Sequence, residues 1–462
     1  MTAFEELDRV VDRRLDGWVA ELVDYCRIGS EAGDLPALRA AAEWTAERFR
    51  RSGAEVDVVE LPGQPDVPPL VVGTIGSGPR TINLVQHYDV QPAVPLELWT
   101  SAPYEPEVRD GRVFGRGATD NKGEFLPRLW AVESWREALG ELPVRIRFLV
   151  EGEEESGSQH LDALLDQRPD LRRADAALIE GGGLSLEGRP EVAAGGRGII
   201  LAELSVRTIE YDAHSSLATL LPNAAVRLSQ ALASMWQADG LPAVAGLSVG
   251  VRPPTPSQLA VVEATSLEII EDVRSEFRPR AFVGGREGRE AIRAEVFSPT
   301  LNIQGLWSGF TGPGAKTITP AQAHARVDIR LVPDQVPETV IEAVRDHLAA
   351  AGFDDVEVRL LEAERAWWTP PDHPVVDLAI EASEAVAGQS AIRLVSMPGT
   401  VPMYQVCAAH RVPATTLGAA RDDCRAHAPD ENVRIDDLAM ATRITARFLD
   451  GFASLGDVPP VA

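Results

Sequence analysis

Apolar positions in the first 60 residues recur at helical spacing and give way to a strand, AEVDVVEL. A proline-rich loop, PGQPDVPP (62–69), follows. Short apolar runs then alternate with helical patterns. They are TINLVQH (81–87), a helix over about 122–138, VRIRFLV (144–150), a helix over about 159–166, and DAALIE (175–180). This alternation predicts an α/β fold: a mostly parallel sheet with helices on both faces. At GGRGIILAELSVRTIE the pattern becomes polar–apolar, as in a half-exposed strand. A helix over about 223–236, the alternating AHARVDIRLV, a helix opened by PETVIEAVRDHLAAAG, and VEVRLLEAE describe a smaller α+β domain of ferredoxin-like type. Segment 240–297 is less regular and reads as an insertion in it. WWTPPDHP (367–374) marks the crossing back, and VVDLAIEASEAVAG, PATTLGAA and a helix near 436–451 restore the α/β texture. The expected organisation is one α/β domain (1–197 and 365–462) interrupted by a second domain (198–364).

Composition narrows the partners. The 462 residues are 45% hydrophobic and 25% charged, an ordinary globular balance. A net charge of −26 argues against nucleic acid and against anionic membrane surfaces, both of which select basic patches. No apolar run approaches the ~20 residues that span a bilayer, and the start, MTAFEELDRVVDRRLDGW, is charged and helical in pattern. Three cysteines, Cys26, Cys407 and Cys424, are too few and too odd in number for a disulfide framework. A cytoplasmic protein is therefore expected.

The chemistry gathers at strand ends. In open α/β sheets, ligands bind beyond the carboxyl ends of the strands. His87 ends TINLVQH, with Asp89 two residues on; Glu153, Glu154 and Glu155 follow VRIRFLV; Glu180 ends DAALIE; His427 lies past PATTLG. Asp120 sits in GRGATDNKG, a glycine-rich loop opening a helix. Two histidines with several carboxylates and no cysteine suit zinc, manganese or cobalt. At least five candidate ligands exceed what one zinc needs, so two ions fit better, bridged by a carboxylate such as Asp120 at an ion separation of about 3.5–4 Å. Adjacent acids also repel one another. One member of the Glu154–Glu155 pair can bind metal while its neighbour stays free as a general base.

The motifs HYDVQP, GRGATDNKGE, EGEEESGS, LIEGG, AHSS, GAKTITP, DIRLVP and RAHAPDE occur in this order from about residue 80 to the C-terminus. The chain thereby resembles a family of dinuclear zinc exopeptidases and deacylases. That family includes carnosinase, cytosolic nonspecific dipeptidase, aminoacylase and succinyl-diaminopimelate desuccinylase, and the pattern follows its carnosinase-like dipeptidases. The resemblance implies that His87, Asp120 and Glu180 hold one metal ion, and Asp120, Glu155 and His427 the other. It implies Glu154 as general base and Asp89 as the residue orienting His87. It implies a lid domain that mediates homodimerisation, with His214 of AHSS reaching the partner's site to steady an oxyanion. Arg330 of DIRLVP would clasp a substrate carboxylate, with Asn302, Gly399 and Thr400 at further substrate-binding positions.

Three departures from the family pattern stand out. Gln86 replaces a glycine, MPGT (397–400) stands where related dipeptidases often have Gly-Gly-Ser, and Asp430 stands where asparagine is common. None removes a ligand. The expected activity is metal-dependent hydrolysis of an amide bond in a small, carboxylate-bearing peptide, with a dipeptide as first expectation. An N-acyl amino acid deacylase or desuccinylase is the alternative. A third reading is an inactive, metal-binding assembly protein.

Overall fold

The computed structural model describes residues 3–461. The chain divides into two compact units: Met1–Gly196 with Trp368–Met397 and Val401–Ala462, and Arg197–Trp367 with Pro398–Thr400. Among the described residues no helix is long and apolar enough to cross a membrane.

The first unit starts with helices α1 (Ala3–Cys26) and α2 (Leu35–Arg51). Helix α2 is capped by Asp34, whose carboxylate accepts from the Ala37 N–H. Strands β1 (Glu55–Val59), β2 (Leu70–Ile75), β3 (Thr81–His87), β4 (Arg145–Glu151), β5 (Ala176–Ile179) and, far along the chain, Ala414–Thr416 form a six-stranded sheet. Its order is β1, β2, β4, β3, β5, Ala414–Thr416. The last four strands run parallel, while β1–β2 and β2–β4 pair antiparallel. The mostly parallel sheet is therefore present, extended at one edge by an antiparallel hairpin. The strand β2 carries no alternation that distinguishes it from the loop before it, so periodicity alone passes over it.

Alternate residues of the sheet face different layers. Ile82, Leu84, Ile146 and Phe148 join one core with α1, α2, α3 (Lys122–Leu139), α10 (Pro374–Ala387) and α12 (Ile435–Ser454). Asn83 and Arg147 lie on the other face, where Asn83 donates to the Leu171 carbonyl (2.7 Å) and Arg147 to that of Asp170 (3.2 Å). Helix α10 is capped by His373, which accepts from the Val375 N–H, and ends at Gly388 in the left-handed region.

The second unit holds a four-stranded antiparallel sheet of β6 (Gly198–Arg207), β7 (Asn302–Ser308), β8 (Gln322–Leu331) and β9 (Glu357–Glu364), ordered β7, β8, β6, β9. With α5 (Ala224–Ser234) after β6 and α9 (Pro337–Ala350) after β8, the order is βαββαβ, the ferredoxin-like arrangement. Burial alternates along β6, so Ile200, Ala202, Leu204 and Val206 pack with Leu228 and Leu232 of α5 and Val340 and Val344 of α9. Between α5 and β7 the chain forms three helices, α6 (Pro256–Ala264), α7 (Glu268–Phe277) and α8 (Gly288–Phe297). The edge strand β7 is largely exposed, so it lacks the apolar alternation that marks β6.

Candidate metal centre

The end of β3 fixes the first ligand. His87 is the last strand residue, 1% exposed, and pairs in register with Glu151 of β4. Gln86 before it is accommodated in a regular strand, paired with Val150. The His87 Nδ1–H donates to the Asp89 carbonyl (3.0 Å), which leaves the Nε2 lone pair aimed into the site. Nε2 meets Asp120 Oδ1 at 3.1 Å and Glu180 Oε2 at 3.3 Å. The other Asp120 oxygen, Oδ2, lies 3.0 Å from His427 Nε2. His427 Nε2 also meets Glu155 Oε2 at 3.1 Å. Asp120 thus stands between two imidazoles, one carboxylate oxygen toward each.

Glu154 comes no nearer to His87 Nε2 than 3.8 Å. The fully buried Asp89 carboxylate accepts from the backbone N–H of Glu154 (3.3 Å) and of Glu155 (3.0 Å), which ties the turn after β4 to the turn after β3. Gln91 holds Glu155, donating through its side chain to Oε2 (2.9 Å) and through its backbone to Oε1 (3.1 Å). The two remaining acids of the run turn away. Glu151 accepts from Ser158 Oγ (2.7 Å), and Glu153 binds the His160 ring (2.9 Å).

The electrostatics describe a centre that lacks positive charge. Burial and the charge of Glu180 push Glu154 well above the usual carboxylate range. Burial pushes Glu180 up to about 8, against the opposing pull of His87. Burial raises the pKa of Asp120, but the two imidazoles outweigh it and hold it well below the usual range. Asp120 and Glu155 raise His427 to about 10. Both oxygens of buried Glu180 have no hydrogen-bond partner. A lone pair facing carboxylate oxygens and an unbonded buried carboxylate are what a cation between them would satisfy. Two overlapping donor sets, His87–Asp120–Glu155 and His87–Glu154–Glu180, have ligand atoms within 4.8 Å of one another. The residues present fit divalent metal.

The loop bearing His427 is backbone-constrained. Arg425, His427 and Asp430 all take positive φ, at 58°, 61° and 61°. Aspartate and asparagine are the side chains that tolerate this region best, which accounts for Asp430 at a position where asparagine also serves. Asp430 accepts from the Thr100 N–H and hydroxyl, both at 2.8 Å.

The other predicted residues lie in the second unit. Arg330 of β8 donates to Thr400 Oγ1 (2.7 Å), and the Gly399 carbonyl accepts from the Arg197 N–H (2.9 Å). Asn302 of β7 donates to Asp328 (2.7 Å), the residue directly opposite it on β8. His214 is not beside them; it sits exposed in a two-residue ladder with Ile318–Thr319. Its Nδ1 accepts from the Ser216 N–H (3.2 Å), so the neutral ring carries its hydrogen on Nε2. Sequence reasoning passed over Gln91, Glu124 and Glu431, all within or next to motifs quoted above, because acids and amides that bind backbone carry no spacing of their own.

An α/β sheet whose parallel strand ends present a histidine–carboxylate cage defines a metal-dependent hydrolase. Residues 84–451 match the model of Peptidase family M20/M25/M40, and the chain belongs to that family. It is 27% identical over 470 residues to Beta-Ala-His dipeptidase of Rattus norvegicus, covering 96% of this chain and 94% of the relative. It is 25% identical over 477 residues to Cys-Gly metallodipeptidase dug1 of Schizosaccharomyces pombe, covering 98% and 99%. Among solved structures, the M20 family metallo-carboxypeptidase Sso-CP2 of Sulfolobus solfataricus superposes with a TM-score of 0.88 at 29% identity, covering 95% of this chain and 99% of that one.

Proposed function

We propose that the protein is a metal-dependent dipeptidase that hydrolyses the amide bond of a small, carboxylate-bearing peptide. The observation that carries the proposal is Asp120 standing between His87 and His427, with Glu154 half-buried beside them, 3.8 Å from His87 Nε2. His87, Asp120 and Glu180 would hold one divalent ion and Asp120, Glu155 and His427 the other, zinc first, with manganese or cobalt as alternatives. When bound, such ions supply Lewis acidity that makes water acidic enough to be deprotonated near neutral pH.

The chain's own residues do the rest. Glu154 receives the proton of the attacking water and returns it to the leaving amine. Asp89 fixes the His87 ring and the Glu154–Glu155 turn. Arg330 binds the substrate carboxylate, with Asn302, Gly399 and Thr400 at neighbouring substrate positions. His214 Nε2–H donates to the developing oxyanion of the partner subunit's site in a cytoplasmic homodimer. Support for that last role is the tautomer fixed by Ser216 and the exposure of the ring.

Glu154→Ala tests the base. Turnover of a dipeptide falls by about 10²–10⁴-fold while metal content, read by elemental analysis, stays at the wild-type level. Near-wild-type turnover in that variant refutes the assignment. The relation to Sso-CP2 favours one second reading, a carboxypeptidase acting on longer chains. A panel of dipeptides, N-acyl amino acids and tetrapeptides separates these: the proposal requires dipeptides to have the highest kcat/KM.

A further inference from the structure

Three buried acids surround the centre without belonging to either proposed ligand set. Each follows one ligand closely in sequence and grips the backbone of another. Asp89, two residues after His87, takes the N–H groups of Glu154 and Glu155. Glu124, four residues after Asp120, takes those of Gly181 (3.3 Å), Ala419 (2.9 Å) and Ala420 (3.0 Å). Gly181 follows Glu180 directly. Glu431, four residues after His427, takes those of Gly117 (3.1 Å), Thr119 (2.9 Å) and Asp120 itself (3.0 Å). These carboxylates tie the His87 segment to that of Glu155, and the Asp120 segment to those of Glu180 and His427, in addition to the pairing of the sheet.

The environment of the two unassigned acids is built around them. Glu124 is 5% exposed, and Glu431 is fully buried. Glu431 is neutralised by Arg116 at 2.6 Å. One helical turn beyond Glu124, buried Arg128 donates to the carbonyls of Ile179 (2.8 Å) and Leu417 (2.7 Å). Those carbonyls close the strands from which Glu180 and the loop to His427 depart. A side-chain carbon at Gly418 would lie 2.4 Å from Glu124 Oε1, so that position leaves room for the acid. Desolvating a carboxylate is expensive, and it is tolerated where several N–H groups point at it. Loops that merely connected strands would gain nothing from such groups.

We infer that Glu124 and Glu431 are positioning residues that, with Asp89, hold the metal-ligating segments in place before any ion binds. The inference rests on the metal centre proposed above. Both oxygens of each acid accept N–H groups, so glutamine, which accepts through one oxygen only, breaks one side of each brace while keeping its shape.

The test is a zinc titration of chelator-stripped full-length protein against a competing chelator. Glu124→Gln and Glu431→Gln should each weaken zinc binding by about 10–100-fold, the range for residues that orient metal ligands. At saturating zinc, kcat should recover to within about threefold and KM should not move. Folded variants with wild-type zinc affinity overturn the inference. A variant that fails to fold is replaced by Gly418→Ala, which crowds Glu124 without removing charge and should weaken zinc binding in the same direction. Hydrogen exchange of the wild type needs no variant. The peptides carrying 117–120 and 181 should be protected in metal-free protein; exchange that slows only after zinc is added overturns the inference. Wild-type protein that takes up no zinc at all removes the proposed centre itself, an outcome distinct from equal binding by wild type and variants.

Discussion

The charge state of single acids gives this protein part of its response to pH. Glu191, away from the proposed ligands, shows the sign cleanly. Burial and the neighbouring Asp422 push it up to about 7, against the pull of Arg189. Its folded pKa lies above the unfolded value near 4.5. The stability it contributes is therefore fully present below about pH 4.5 and is lost as pH rises through about 7. With allowance for its partial exposure, the loss is about 1–2 kcal/mol. Glu191→Gln should be more stable than wild type at pH 8 by that amount and indistinguishable from it at pH 4, read as urea midpoints. An equal difference at both pH values contradicts the assignment. At this scale the sequence was informative about types and positions. His87, Asp120, Glu154, Glu155, Glu180 and His427 all converge at one place because strand ends and loop glycines mark it. Glu124 and Glu431 were hidden because their partners are backbone amides, which every residue offers and no motif records.

Helices and strands are held by a few long-range ion pairs as well as by their cores. Arg48 of α2 is 5% exposed and binds Glu133 of α3 through two bonds, at 2.7 and 2.9 Å, and Glu21 of α1. Three helices thus share one guanidinium. Arg48→Ala leaves two acids facing each other with no counter-charge. It should destabilise the first unit by about 2–3 kcal/mol, below the value for a fully buried pair because both acids keep some exposure. Activity per folded molecule should be unchanged; a midpoint shift below about 0.5 kcal/mol would show that solvent already screens the trio. Elements with strong periodicity were legible: α3 and α9 fall within a residue or two of their expected bounds, and β6 lies inside the alternating segment that announced it. Strands β2 and β7 were not. The first is apolar throughout and merges with a proline-rich loop, and the second is an exposed edge whose pairing is set by β8 rather than by its own pattern. Helices α6, α7 and α8 escaped for a related reason: each buries a single one of its described residues, Val262, Ile270 and Ile292.

Across the whole molecule the two units have separate apolar cores, and the catalytic proposal asks them to cooperate. If His214 serves the partner subunit, two defective chains repair each other. Mixing Glu154→Ala with His214→Ala protein under conditions that exchange subunits should restore dipeptide hydrolysis, since a mixed dimer holds one intact combination. Continued inactivity, with exchange verified by mass, would place His214 in its own chain's site or outside catalysis. The ferredoxin-like unit has one further property. Its first strand, β6, and its last, β9, are antiparallel neighbours, with Ile199 opposite Glu364. The main segment of this unit, Arg197–Trp367, therefore begins and ends at one narrow doorway. Such a module can be spliced out, swapped for a homologous one or enlarged without severing any pairing in the host sheet. A lineage could in this way replace the greater part of this unit by exchanging residues 197–367, a stretch that contains none of the proposed metal ligands.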